Sequence, residues 1–106
     1  MTDILIIGAG CAGLTAAIYA ARAGKSVLVL EQEGVGGQIA FAPRVENYPG
    51  IASVSGAAFA DALFEQALAL GAELSLERVL ALRPGSPHTV VTDEGEHLAR
   101  AIIVAA

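Results

Sequence analysis

The sequence predicts an α/β fold built on a parallel sheet, from three observations. A short apolar run, Ile4-Leu5-Ile6-Ile7, leads straight into Gly8-Ala9-Gly10-Cys11-Ala12-Gly13. An alanine-rich segment without glycine or proline follows, Leu14 to Ala23. A second apolar run, Ser26 to Leu30, then ends on Glu31. Short continuous apolar runs bounded by glycine read as strands buried on both faces, as in a parallel sheet. Strand, glycine loop, helix, strand and acid is the order of a dinucleotide-binding βαβ unit. The expected architecture is therefore Rossmann-like, with a small antiparallel β excursion later in the chain.

Each glycine of the loop has its own physical task. Gly8 permits the tight turn off the first strand, Gly10 lets backbone approach a pyrophosphate, and Gly13 lets the helix lie close on the sheet. The helix start offers unpaired N–H groups and the positive end of its dipole to phosphates. Ala17 and Ala20 extend the small-residue face, and Gly24 stands where a helix end wants a left-handed residue. Glu31, eighteen residues after Gly13, is placed to accept hydrogen bonds from a ribose diol. Gln32 and Glu33 follow with no lysine or arginine nearby, so a 2′-phosphate would face two carboxylates. That excludes NADP from this loop and leaves FAD or NAD.

Glu33 to Gly50 is too long for an ordinary connection, and such loops are usually functional or disordered. Gly36-Gly37 can present bare backbone N–H groups, while Gln38 and Asn47 carry amides that both donate and accept. That suits a heterocycle rich in nitrogens and carbonyls; the plainer alternative is loop capping by the same amides. Ser55 is an N-cap for a helix from about Gly56 to Leu70, ended by Gly71. Phe59, Leu63, Ala67 and Leu70 share one helical face, widened by Phe64 and Leu68, with Asp61 and Glu65 opposite. Ala72–Leu76 and Arg78–Arg83 read as strands, the second stopped by Pro84-Gly85-Ser86-Pro87. Thr89–Thr92 and His97–Ala101 flank Asp93-Glu94-Gly95 as a hairpin, and Ala101–Ala106 returns as a separate apolar strand.

Composition bounds the function. The 106 residues are expected to form a single domain, and a formal charge of −5 with no basic cluster argues against nucleic acid or an anionic membrane. An apolar content of 55% leaves surface expected to pack against another domain or a second copy, so a homodimer stays open. The single cysteine, Cys11, excludes an internal disulfide or a C-x-x-C site, and His88 and His97 read as solvated side chains without metal spacing. The uncharged stretch Ile4–Ala21 contains three glycines, poor for a spanning helix, and Asp3 does not suit a signal peptide. A cytoplasmic protein is expected. No residue qualifies as a catalytic acid, base or nucleophile, and no metal site is read.

Gly37-Gln38 soon after the acid-tipped strand, followed by Val45-Glu46-Asn47-Tyr48-Pro49-Gly50, resembles the FAD-binding half of the low-molecular-weight thioredoxin reductases. These belong to the pyridine nucleotide-disulfide oxidoreductases. The glycine loop is similar too, with Cys11 where a proline is common. The resemblance spans residues 1–106 but only the opening portion of that family's chain, and it implies an incomplete FAD-binding domain ending before the NADPH domain. It implies that Gly8, Gly10, Cys11, Ala12 and Gly13 cradle the FAD pyrophosphate, and that Glu31, with Gln32 beside it, holds the adenosine ribose. Gly37 and Gln38 would follow the ribityl and phosphate region, and Asn47 would reach the isoalloxazine. In the complete enzyme, electrons would pass from NADPH through FAD to a disulfide, with a thioredoxin-like protein as acceptor. The other readings are a stand-alone FAD, NAD or ADP module and a part of a ferredoxin-NADP reductase-like flavoprotein without a redox disulfide.

Overall fold

A computed structural model describes the chain from residue 1 to residue 106. Its elements run β1 (Thr2–Ile7), α1 (Cys11–Arg22), β2 (Val27–Glu31), a 3-10 turn (Gly37–Phe41), α2 (Gly56–Ala69), β3 (Glu73–Leu76), β4 (Val79–Arg83), β5 (His88–Thr92) and β6 (Gly95–Val104). One six-stranded sheet has the order β3-β2-β1-β6-β5-β4. β3, β2, β1 and the second half of β6 are parallel, whereas β4, β5 and the first half of β6 are antiparallel.

Two boundaries differ from the sequence reading. Helix α1 begins at Cys11 rather than Leu14, so Cys11, Ala12 and Gly13 form its first turn. The expected hairpin strand and returning apolar strand are one strand, β6. Its residues Gly95 to Ala99 pair with β5 and Ala99 to Val104 pair with β1. Ala99 faces both neighbours, His88 and Thr2, and is fully buried. A methyl group fits at this crossover, where a larger side chain would overpack the interior.

The core lies in two layers. Between sheet and helices, Ile6, Val27 and Val29 meet Leu14, Ala17 and Ile18 of α1 and Ala67 of α2. The small residues of α1 let this helix lie close, and Ala17 is fully buried. The other cluster joins Leu5 and Leu30 of the parallel strands to Val90 and Ala99 of the meander, with Val79 packed alongside. The antiparallel strands are thus packed onto the interior and belong to the same sheet. Burying Leu5, Leu30 and Val90 there is worth about 2 kcal/mol each.

Gly24 and Gly71 follow the two helices with φ of +80° and +99°, as the left-handed stop requires. Ser55 caps α2 by accepting a hydrogen bond from the Ala58 N–H at 3.1 Å. Phe59 and Ala67 are buried as expected and Leu63 and Phe64 partly so, but Leu68 and Leu70 are exposed. The buried face turns through Gly56 and Ala60 instead. The long connection after β2 is organised by the 3-10 turn, a Val45–Val54 bridge, and Tyr48 tilted on Phe59 at 4.9 Å. No helix is long and apolar enough to cross a membrane.

Candidate functional site

A cleft of about 580 Å³ opens at the carboxyl ends of β1, β2 and β6. From β1 the chain proceeds to β2 on one side, while β6 lies on the other, and ligands of open α/β sheets bind at such reversals. Gly8, Gly10, Glu31, Gln32, Gly37 and Gln38 line the cleft, together with Glu33, Glu77, Val79 and Ala105.

The glycine loop is held by its own packing at two positions. Gly8 has φ of +108°, and a Cβ there would lie 2.6 Å from the Ala105 carbonyl oxygen. A Cβ on Gly13 would lie 1.8 Å from the Gly8 carbonyl oxygen, so the first turn of α1 rests directly on the loop. Gly10 is different. A Cβ there would meet nothing closer than the Gly36 carbonyl oxygen at 3.8 Å. Packing within the chain does not require glycine at Gly10, which leaves close approach of an outside group as its reason.

Helix α1 starts with no side-chain cap on its N-cap residue Gly10 and no acid in its first turn. The amides of Cys11, Ala12 and Gly13 therefore present the positive end of a 12-residue helix without a competing carboxylate in that turn. The second glycine loop lies beside the first. The Gly36 N–H donates to the Ala9 carbonyl at 2.6 Å, and Gly10 bridges Gly36 as a parallel pair. A Cβ on Gly37 would sit 3.5 Å from Gly10 Cα, so Gly10 and Gly37 bring backbone to backbone along the cleft.

Glu31 closes the loop from the other side. Its Oε1 accepts from the Ala9 N–H at 2.9 Å and its Oε2 from the Glu33 N–H at 2.8 Å. Each oxygen keeps a further lone-pair site for a hydroxyl. Glu31, Glu33 and Glu77 are the charged side chains of the cleft lining, and no lysine or arginine joins them. A nucleotide bearing a 2′-phosphate is repelled by that set.

The sequence reading found six of the lining residues and missed Glu77, the one with the most organised surroundings. Glu77 is buried, with 7% of its surface exposed. Its Oε1 accepts from Thr92 Oγ1 at 2.6 Å and from His97 Nε2 at 2.8 Å, and its Oε2 accepts from Ser75 Oγ at 2.7 Å. A carboxylate only accepts, so the proton of neutral His97 stands on Nε2. Hydrogen bonds from Thr92, then His97, then Ser75 outweigh burial and hold the Glu77 carboxyl down at about 2. His97 is thus a half-buried partner rather than the solvated side chain expected, and His88 Nδ1 accepts from the Gly85 N–H at 3.0 Å. Asn47 lies exposed outside the cleft lining; Cys11, half-buried, Ala12, exposed, and Gly13, buried, are also absent from that lining and sit in the first turn of α1 beside it.

Comparison with known proteins agrees with this geometry. A family model described as FAD binding domain matches residues 3–79. Thioredoxin reductase of Bacillus subtilis (strain 168) is 43% identical over 105 residues, which cover 98% of this chain and 33% of that one. The crystal structure of Lactococcus lactis thioredoxin reductase in its FR conformation superposes with a TM-score of 0.96 at 34% identity, over 100% of this chain and 35% of that one. A ferredoxin-flavin thioredoxin reductase from Clostridium acetobutylicum superposes with a TM-score of 0.87 at 31% identity, over 97% of this chain and 36% of that one. The chain spans about a third of the length of the relatives it matches.

Proposed function

The chain belongs to the FAD binding domain family, and from that premise we propose that it is the flavin-holding part of a thioredoxin-reductase-like flavoprotein. The observation that carries the reading is the pair of loops at Gly10 and Gly37, where backbone is left bare beside an uncapped helix start. The residues present fit FAD. The amides of Gly10, Cys11, Ala12 and Gly13 would hold its pyrophosphate, with Gly8 and Gly13 fixing their direction. Glu31 would accept from the adenosine ribose, and Gln32 would stand beside it at the rim. Gly37 and Gln38 would line the stretch towards the flavin, and Asn47 would reach the ring system.

FAD, when bound, supplies two-electron redox chemistry. This chain's residues bind and orient, and none of them carries a proton or a nucleophile into a reaction. In the whole flavoprotein we assign NADPH as electron source and the disulfide of a thioredoxin-like protein as acceptor. With one cysteine in this chain, Cys11, a redox pair would have to come from elsewhere. The likeness to a ferredoxin-flavin thioredoxin reductase favours a second reading, in which ferredoxin replaces NADPH as the source.

Titrating the purified chain with FAD and following flavin fluorescence tests the proposal. Saturable binding, unaffected by excess NADP and competed by ADP, is expected. No saturation by FAD, or equal preference for NADP, overturns it.

A further inference from the structure

We propose that Glu77 is a positioning residue for the dinucleotide cleft, coupling the β5–β6 hairpin through the end of β2 to the glycine loop. The inference rests on the FAD-binding reading above and names a residue which that reading does not use.

The connection can be followed bond by bond. Thr92 at the end of β5 and His97 in β6 both donate to Glu77 Oε1, and Ser75 of β3 donates to Oε2. The backbone N–H of Glu77 donates to the Glu31 carbonyl at 3.0 Å. The Glu31 side chain in turn accepts from Ala9 and Glu33. A second clamp fixes the same corner: Asp93 Oδ1 accepts from the Arg78 N–H at 2.9 Å, and the Asp93 N–H donates to the Arg78 carbonyl at 3.1 Å. The corner between β3 and β4 is therefore held by the hairpin turn and holds Glu31 from behind.

A structural staple could sit anywhere in the meander. Glu77 instead lines the same cleft as Glu31 and Glu33, and its partners are polar side chains from three different strands. Partners satisfied on both oxygens lock its rotamer, as a supporting residue around a binding constellation requires. Loss of the side-chain clamp loosens the corner whose Glu77 N–H is bonded to the Glu31 carbonyl, and with it the placement of the Glu31 carboxylate that the ribose would meet.

The test is a double-mutant cycle on FAD binding with Glu77→Gln and Glu31→Gln in the 106-residue chain. Glu77→Gln is expected to weaken FAD binding about tenfold in the wild-type background and less than about twofold beside Glu31→Gln, because residues acting as a unit are not additive. Equal losses in both backgrounds, or a lowered unfolding midpoint with unchanged FAD affinity, would make Glu77 a fold staple and overturn the proposal. Should Glu77→Gln fail to fold, Thr92→Val and Thr92→Ser decide the matter. Valine should weaken FAD binding while serine restores it, and equal affinity for the two overturns the coupling. A wild-type chain that does not bind FAD would defeat the functional reading first, and this inference with it.

Discussion

Both carboxylate oxygens of Glu31 already accept a backbone N–H, from Ala9 and from Glu33. Its removal therefore loosens the glycine loop as well as deleting a ribose acceptor. Glu31→Ala is expected to weaken FAD binding by about 3 kcal/mol, the range for charge-assisted hydrogen bonds. An unchanged dissociation constant in fluorescence titration would remove Glu31 from the site. Glu77 makes a pH prediction. Its carboxyl is held at about 2 by Thr92, His97 and Ser75, below the ordinary 4.5. The unfolded chain then binds the proton more readily, so this stabilisation is complete above the ordinary value and fades as pH falls from 4.5 towards 2. Asp3 adds in the same direction, its carboxyl lowered by hydrogen bonds from the Ser26 backbone and side chain. Urea midpoints measured across that interval should fall more steeply for wild type than for Glu77→Gln; parallel curves would show that Glu77 does not titrate there.

The elements differ in how far the sequence reveals them. β1, α1 and β2 were legible because every level agreed: apolar runs, alanine on the packing face, glycines at each change of direction. In α2 the periodicity located the helix but not its whole face. Leu68 and Leu70 continue the apolar pattern but stay exposed, while Gly56 and Ala60 are buried, and periodicity alone cannot report which edge of an apolar face is covered. β6 reads as two strands because its composition changes midway. The half beside β5 carries the polar Glu96 and His97, while the half beside β1 is apolar except for Arg100. Glu77 was invisible for another reason: its partners Thr92 and His97 lie 15 and 20 residues away, and locally it is one acid before Arg78. Packing at the start of α1 yields a sharper expectation. Gly13→Ala puts a Cβ against the Gly8 carbonyl, which is backbone and cannot swing aside. A loss of about 3 kcal/mol is expected, at the upper end for overpacking. A chemical-denaturation midpoint equal to wild type would show that α1 can lift from the loop without cost.

At the scale of the whole molecule, two glycine loops meet at one cleft, and the proposed function asks them to hold a flavin whose reaction partners lie elsewhere. The cleft lining is acidic, and the one thiol belongs to the first turn of α1. Disulfide exchange requires an attacking thiolate and normally a resolving partner. Purified chain mixed with FAD, NADPH and a disulfide substrate should consume no NADPH in a substrate-dependent way, followed at the nicotinamide absorbance band. Sustained consumption that survives Cys11→Ser would reveal a complete reaction centre in these 106 residues.

Strand β6 also dictates when the domain can assemble. Thr2 pairs with Ala99 and Ile7 with Val104, each 97 residues further along the chain. During synthesis β1 leaves the ribosome first and waits for its inner neighbour until nearly the last of these residues emerges. Closing so long a loop is entropically costly, and folding dominated by distant contacts is slow. A nascent chain stalled after Leu98 should therefore remain sensitive to protease along β1, and protection should arrive abruptly once Val104 is free to pair.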